Sequence, residues 1–362
     1  MRKFNIKKQI NRLYALTTVG YFQIAGASWV ALLALRGFTM LEIGILESIF
    51  HIVSSIFEIP SGVAADVCGR KKTLALARLV SVTSNLLMIL SVNFGTVALA
   101  IGFSAISYNL ESGTREALAY DSLKSVNQEN DYNKFASTEM MLYRLTGSLA
   151  TLCAGFGLWL GYKRAYVIDI FFGLIATGFA LSLKEISIES EKEILSIKQK
   201  WKEVISESWT FLAANKRARE IIFLNAVIGA VSTLVLFFLQ AKLPLEGLKD
   251  TLLGPALFIM GLGAAFGAKA VAFVPGLRYR KFILFSGVGV LCAFGMIFTG
   301  NPYMMILGGF IGSFADDFLE VRTDVILNDM IPSGQRATLI SVSSFTFSLV
   351  MIVMSTLMGI IM

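Results

Sequence analysis

Cysteine, histidine and charge are all scarce in this chain: its 362 residues carry three Cys, one His and only 16% Asp, Glu, Lys and Arg. The three thiols, Cys68, Cys153 and Cys292, supply neither a disulfide framework nor a metal-ligand set, and two of them sit inside apolar runs, as packing residues do. With His51 as the sole histidine there is no clear nucleophile–base pair, so a membrane-embedded enzyme is disfavoured and no cofactor is expected. No nucleotide-binding domain is read in the sequence. Soluble chains average about 25% charged residues, and the deficit here excludes an ordinary soluble core.

Apolar length fills the gap. Hydrophobic residues make up 55% of the chain, the mean hydropathy is +0.69, and uninterrupted apolar runs recur at the ~18 residues or more that a bilayer crossing requires. Eleven such runs are read, near residues 13–35, 41–65, 73–92, 95–118, 139–160 and 165–183, then 220–240, 250–273, 280–298, 302–325 and 338–362. Lipid offers no partner to backbone N–H and C=O groups, so each run must be a helix or part of a closed barrel. Runs this long exclude the short alternating strands of a barrel. The fold class is therefore an all-α polytopic membrane protein.

Lys and Arg in the short loops set the orientation. With the N-terminus inside, the cytosolic face collects Arg2, Lys3, Lys7, Lys8, Arg12, Arg70, Lys71, Lys72, Lys124, Lys134, Arg278, Arg280, Lys281 and Arg336, besides the basic residues of the central loop. Outside remain Arg36, Lys163, Arg164, Lys242 and Lys249. The net charge of +7 follows from this topology and from anionic lipid, without nucleic acid as a partner. The basic start and the Ala25-Gly26-Ala27 that follows resemble a secretory signal, but the apolar run continues past them and is read as the first span.

Residues 184–219 form the one long polar stretch, a linker between a six-span domain (1–183) and a five-span domain (220–362). Within it Ile194, Ile197, Trp201, Val204, Ile205, Trp209 and Leu212 recur at helical spacing, as in an amphipathic helix lying on the inner membrane surface or, alternatively, binding a partner. The two halves echo one another: Arg115 to Leu123 ends span 4 as Arg322 to Met330 ends span 10, with the arginines in register and Asp121 opposite Asn328.

Between spans 2 and 3 lies Gly62-Val63-Ala64-Ala65-Asp66-Val67-Cys68-Gly69-Arg70-Lys71-Lys72, read as G-x-x-x-D-x-x-G-R-K. An acid at a helix end, a glycine that lets the chain reverse and a basic cluster suit a tight cytosolic turn. The pattern resembles the loop after the second span of the major facilitator superfamily. Glu58 to Gly62, Ser112 to Ala117 with Tyr120-Asp121, and Arg336-Ala337-Thr338 extend the resemblance over nearly the whole chain, although Val67 stands where the family often has a basic residue. The resemblance implies two pseudo-symmetric helix bundles around a cavity that opens alternately to each side, normally with twelve spans where eleven are read here. It also implies that Asp66, Arg70 and Asp121, with Gly62, Gly69 and Lys71 of the same motif, belong to a cytosolic charge network that acts as a conformational gate. The charged clusters of spans 4 and 10, with Arg115, Glu116 and Arg322, are read as inter-bundle salt bridges of that gate or, alternatively, as substrate or proton contacts.

An ionisable residue within a span costs at least ~2.5 kcal/mol on insertion scales and so requires a reason. In span 2, Glu47, His51, Ser54 and Glu58 fall within roughly 60° of one another at about 100° per residue, a narrow polar stripe. Span 11 carries Ser341, Ser344, Ser348 and Ser355 on one face, and the resemblance implies that these stripes meet. Glu47, His51 and Glu58 are proton carriers or cavity contacts, or else members of a structural network. In span 4 Glu111 precedes Arg115 by four residues, the spacing of a pair on one helix face, while Glu116 points elsewhere. Glu111, with Asp316 and Asp317 of span 10, is among the deepest acids and completes the set of coupling or substrate candidates.

The glycines inside spans, Gly261, Gly263 and Gly267 among them, are read as packing positions and not as a nucleotide loop. The expected function is secondary transport of a small organic solute, proton-coupled, with efflux one of its directions. A multidrug antiporter is not supported, since span 5 has no proline and Asn109 stands where an arginine would be sought. The rival is a transporter-like membrane sensor that moves nothing. A monomer in the cell membrane is expected, with lipid, solute and protons as its partners.

Overall fold

A computed structural model describes residues 4–186, 197–274, 276–330 and 336–362, and among these there is no strand. The first sequence run is broken into α1 (Ile6–Gly20), α2 (Ile24–Ala27) and α3 (Trp29–Leu35). The second and third are α4 (Met40–Cys68), which continues through Pro60, and α5 (Arg70–Leu90). The fourth changes direction at Ser112 and Gly113, between α6 (Phe94–Glu111) and α7 (Thr114–Lys124). The fifth is interrupted at Cys153, between α8 (Tyr132–Leu152) and α9 (Ala154–Leu160), and the sixth is α10 (Tyr162–Ser182). Then come α11 (Ile197–Ala214), α12 (Lys216–Leu245), α13 (Asp250–Ala270), α14 (Tyr279–Met296), α15 (Pro302–Met330) and α16 (Arg336–Ile361).

Among the described residues seven helices are long and apolar enough to cross a membrane, in α4, α5, α10, α12, α13, α14 and α16. The other four sequence runs are the three interrupted ones and α15, whose interior carries Asp316, Asp317 and Glu320. Three of these four runs are broken, and the fourth carries acids. Backbone that leaves the helix at membrane depth needs partners from protein or water, so these helices are where polar side chains should gather.

By their contacts the residues sort into two compact units, Met1–Ala27 with Ile52–Lys200, and Ser28–His51 with Trp201–Met362. The division falls within α4, between His51 and Ile52. In the first unit Leu13, Leu16, Leu74, Leu118 and Phe135 bring α1, α5, α7 and α8 onto one apolar core. In the second, Phe282 of α14 stacks on Phe318 of α15 with centroids 4.4 Å apart. Phe171, Leu284 and Leu291 face outward, as hydrocarbon solvent allows.

The predicted linker helix is α11, whose Phe211 is buried while Trp209 is exposed. Lys192 and Ile194 lie outside the described residues, as do the side chains of Val204, Ile205, Asn328 and Arg336 to Thr338.

Lipid tails are as apolar as leucine, so membrane helices pack through small residues that let backbones approach. Gly263 and Gly267, one turn apart in α13, lie against the Phe310 and Phe314 carbonyls of α15, where a Cβ would strike backbone. Gly267→Val is expected to cost about 1–3 kcal/mol or more, read as a lowered melting temperature of the purified protein. An unchanged melting temperature would refute this close approach.

Candidate functional site

In the second unit, Gly44 of α4 lies against the Ser355 carbonyl of α16, and Gly359 against that of Met40, so the two helices meet at backbone distance. Polar groups fill the seam: Ser48 Oγ lies 2.7 Å from Ser355 Oγ, 2.9 Å from Thr356 Oγ1 and 2.8 Å from Ile352 O. One turn on, His51 Nδ1 lies 3.3 Å from Ser348 Oγ and its Nε2 lies 3.3 Å from Glu47. Glu47 and His51 are both buried, and Phe50 and Phe347 meet the imidazole edge-on at 5.5 and 6.0 Å. The imidazole therefore bridges a carboxylate and a hydroxyl, with two phenyl rings against it.

The lower half of the span 2 stripe behaves differently. In the first unit Ser54 donates to Asn109 Oδ1 at 3.0 Å, and Asn109 returns a bond to Ser54 O at 2.6 Å. Glu58 is exposed. A helical wheel assigns four residues to one face, but α4 is long enough to meet different neighbours along its length.

At the motif, α4 ends on Cys68 and α5 starts on Arg70, so Gly69 alone makes the reversal with φ +93°, a conformation costly to any residue with a Cβ. The Arg70 guanidinium reaches α7, pairing with Asp121 and donating to Ala117 O. Glu185, just beyond α10, accepts the backbone N–H of Arg70 at 2.9 Å and of Lys71 at 3.0 Å, capping α5 with a negative charge. Asp66 is exposed on the last turn of α4, and Gly62 has open space around it.

A cluster of buried charges joins residues from four helices of the first unit. Arg78 of α5, which the sequence reading passed over, is 3% exposed; it pairs with Glu111 of α6 and donates to Gly20 O at 3.0 Å. Arg115 of α7 meets Glu111 at 2.8 Å, Glu116 at 3.1 Å and Glu139 of α8. Glu116 thus turns back to the same guanidinium instead of pointing away, because a long side chain covers more than the face its Cα occupies. Tyr21 lies beneath both cations, 5.2 Å from Arg78 and 5.4 Å from Arg115, and its hydroxyl accepts from Arg115 at 3.3 Å.

The ledger of charge closes: two buried guanidiniums face the two buried carboxylates Glu111 and Glu139, while the Glu116 side chain is partly exposed. Buried ions are tolerable only when paired and hydrogen-bonded in this way. The cluster also sits on helix breaks. Gly20 ends α1, and a Cβ there would come within 2.6 Å of the Arg78 guanidinium, so glycine is what admits the cation to the carbonyl. Gly113, at φ +73°, opens α7 immediately before Thr114 and Arg115. A second stitch holds the first span: Asp169 of α10, 1% exposed, accepts Ile24 N–H at 2.7 Å and Gly26 N–H at 3.0 Å at the start of α2.

In α15, Asp316 Oδ1 and the Phe347 ring both border the space left by Gly229. Asp317 is half-buried. The Arg322 guanidinium lies 5.7 Å from the centre of the Phe282 ring, whereas its counterpart Arg115 lies among carboxylates.

Long apolar helices, together with interrupted ones that carry paired buried charges, define a polytopic membrane protein. The chain belongs to the Major Facilitator Superfamily, whose family model matches residues 13–277. Among solved structures, a point mutant of the nucleoside transporter NupG aligns with a TM-score of 0.80 at 15% identity, covering 99% of this chain and 91% of that one. A bacterial homologue of the human lysosomal transporter Spinster, inward-facing and unoccupied, aligns at 0.72 and 16%, covering 97% and 81%. A D-xylose–proton symporter aligns at 0.67 and 13%, covering 98% and 89%. These likenesses establish the fold and leave the solute to other arguments. No curated protein matches the sequence.

Proposed function

We propose that the protein is a secondary active transporter that moves a small organic solute across the cell membrane by alternating access, with a proton as coupling ion. The observation that carries this reading is the bridge Glu47–His51–Ser348, since histidine is the side chain that ordinarily changes charge between pH 5 and 8. With the ring neutral and Glu47 ionised, Nε2–H donates to the carboxylate and Nδ1 accepts the Ser348 hydroxyl. Protonation makes both nitrogens donors, so the Ser348 hydroxyl must turn to accept and is released to donate elsewhere along α16. One proton thereby reorients a hydrogen bond between two packed helices.

The motif residues Gly62, Asp66, Gly69, Arg70, Lys71 and Asp121, with Arg115, Glu116 and Arg322, are assigned to the conformational gate. The Arg70–Asp121 pair supports that assignment, being 26% and 14% exposed and so less costly to break than the more deeply buried ion pairs. Glu58, Glu111, Asp316 and Asp317 remain coupling or solute contacts in the proposal; the pairing of Glu111 with two arginines favours a structural share for it. The Lys and Arg distribution supports a cytosolic N-terminus, and the protein acts as a monomer and not as an enzyme.

Solutes are first selected by thermal stabilisation of the purified protein, since a ligand that prefers the native state raises its melting point. Each is then added to vesicles that contain the protein and a trapped pH-sensitive dye. Solute-dependent proton movement is expected, abolished by His51→Gln and slowed by Asp66→Ala. A solute that stabilises but never crosses would favour the sensor reading, and movement indifferent to both the pH gradient and His51→Gln would remove the proton from the mechanism.

A further inference from the structure

At the start of α1, Asn5, Lys7, Lys8, Asn11 and Arg12 line an open depression of about 390 Å³ whose remaining wall is Phe179 of α10. That volume lies in the range of small-ligand sites, about 300–1,000 Å³. Three cations and two carboxamides line it, and among the described residues no carboxylate joins them. Among the described residues Lys7, Lys8 and Arg12 form no ion pair. Arg12 is anchored, donating to Ser182 O at the end of α10, and Asn5 caps α1 by accepting the Lys8 N–H at 3.0 Å. The α1 N-terminus adds its own positive potential. Among the described residues the acid that follows α10, Glu185, is engaged by the Arg70 and Lys71 N–H groups.

Depth selects the ligand. α10 is one of the membrane-crossing helices, and Phe179 and Ser182 lie in its last turn, where hydrocarbon gives way to headgroups. We infer that this depression binds the phosphate of an anionic membrane lipid, with Lys7, Lys8 and Arg12 around the phosphate oxygens, the carboxamides on the headgroup hydroxyls and Phe179 against the top of the acyl chain. A free phosphate ion would satisfy the cations but leave Phe179 without a partner. The bound lipid joins the first turns of α1 to the last turn of α10, two helices of the same unit. The inference is independent of proton coupling and of the solute.

The test counts lipid retained by the purified protein in native mass spectrometry across a titration with phosphatidylglycerol. Lys7 and Lys8 are exposed, so the K7Q/K8Q variant should fold normally. It is expected to hold the tightest lipid about 30-fold more weakly, the equivalent of two basic residues at a membrane surface. The control K124Q/K134Q removes the same charge from exposed positions elsewhere in that unit and should leave retention unchanged. Phosphatidylcholine should be held less tightly than phosphatidylglycerol, and inorganic phosphate at millimolar concentration should not displace the lipid. Equal loss in both double variants, equal retention of phosphatidylcholine, or displacement by inorganic phosphate would each overturn the assignment.

Discussion

Arg115→Ala is expected to destabilise the protein by about 3–5 kcal/mol, the cost of removing one partner from a buried ion pair. In unfolding scans of the purified protein this should appear as a melting temperature lower by roughly 5–15 °C. The size of the effect comes from what is left behind. Arg115 meets Glu111, Glu116 and Glu139, and once it is gone Arg78 alone faces Glu111 while Glu139 keeps only the Thr17 hydroxyl at 3.0 Å. A carboxylate in that position must either take up a proton or draw water into the core.

Two companion variants separate this account from a general loss of packing. Glu116→Gln alters a side chain that is 39% exposed, and an exposed partner is worth about 0–1 kcal/mol. Arg115→Lys keeps the charge but loses the planar fork that serves several acceptors at once, so it should fall between the other two. If Arg115→Ala costs no more than Glu116→Gln, the cluster is not the buried clamp described here.

Hydropathy revealed most of the architecture, because a bilayer admits few alternatives to the helix: every run between 13–35 and 338–362 corresponds to one helix or to a broken pair or trio. Local chemistry was equally readable where it depends on neighbours in sequence. Gly69 makes the tight turn, and Glu111 and Arg115 pair at the spacing that suggested it. Contacts between helices were less accessible. Arg78 is a lone cation inside the run 73–92, so the cost of a charge in a span marked it as surely as it marked Glu47, yet nothing local names Glu111 as its partner. The polar stripe of span 2 predicts a shared face but not that His51 meets α16 while Ser54 meets α6. Nor could spacing show that Arg322, in register with Arg115, stacks on Phe282.

The helix breaks were the least legible feature, because their causes lie in other helices. Residues 13–35 contain no proline and read as one span, yet the helix stops at Gly20 and resumes at Ile24. A four-residue helix at membrane depth exposes N–H groups that lipid cannot satisfy, and the carboxylate of Asp169 from α10 supplies two of the acceptors. Asp169→Leu should therefore cost about 2–6 kcal/mol, from two buried donors left unsatisfied at about 1–3 kcal/mol each. Asp169→Asn keeps one carbonyl acceptor and should lose about half as much. If leucine is tolerated as well as asparagine, lipid-compatible packing holds the break by itself, and Asp169 must be explained otherwise. If the two separate as expected, the break in the first span is a stable feature set by α10, and Tyr21 is held between Arg78 and Arg115 for the same reason.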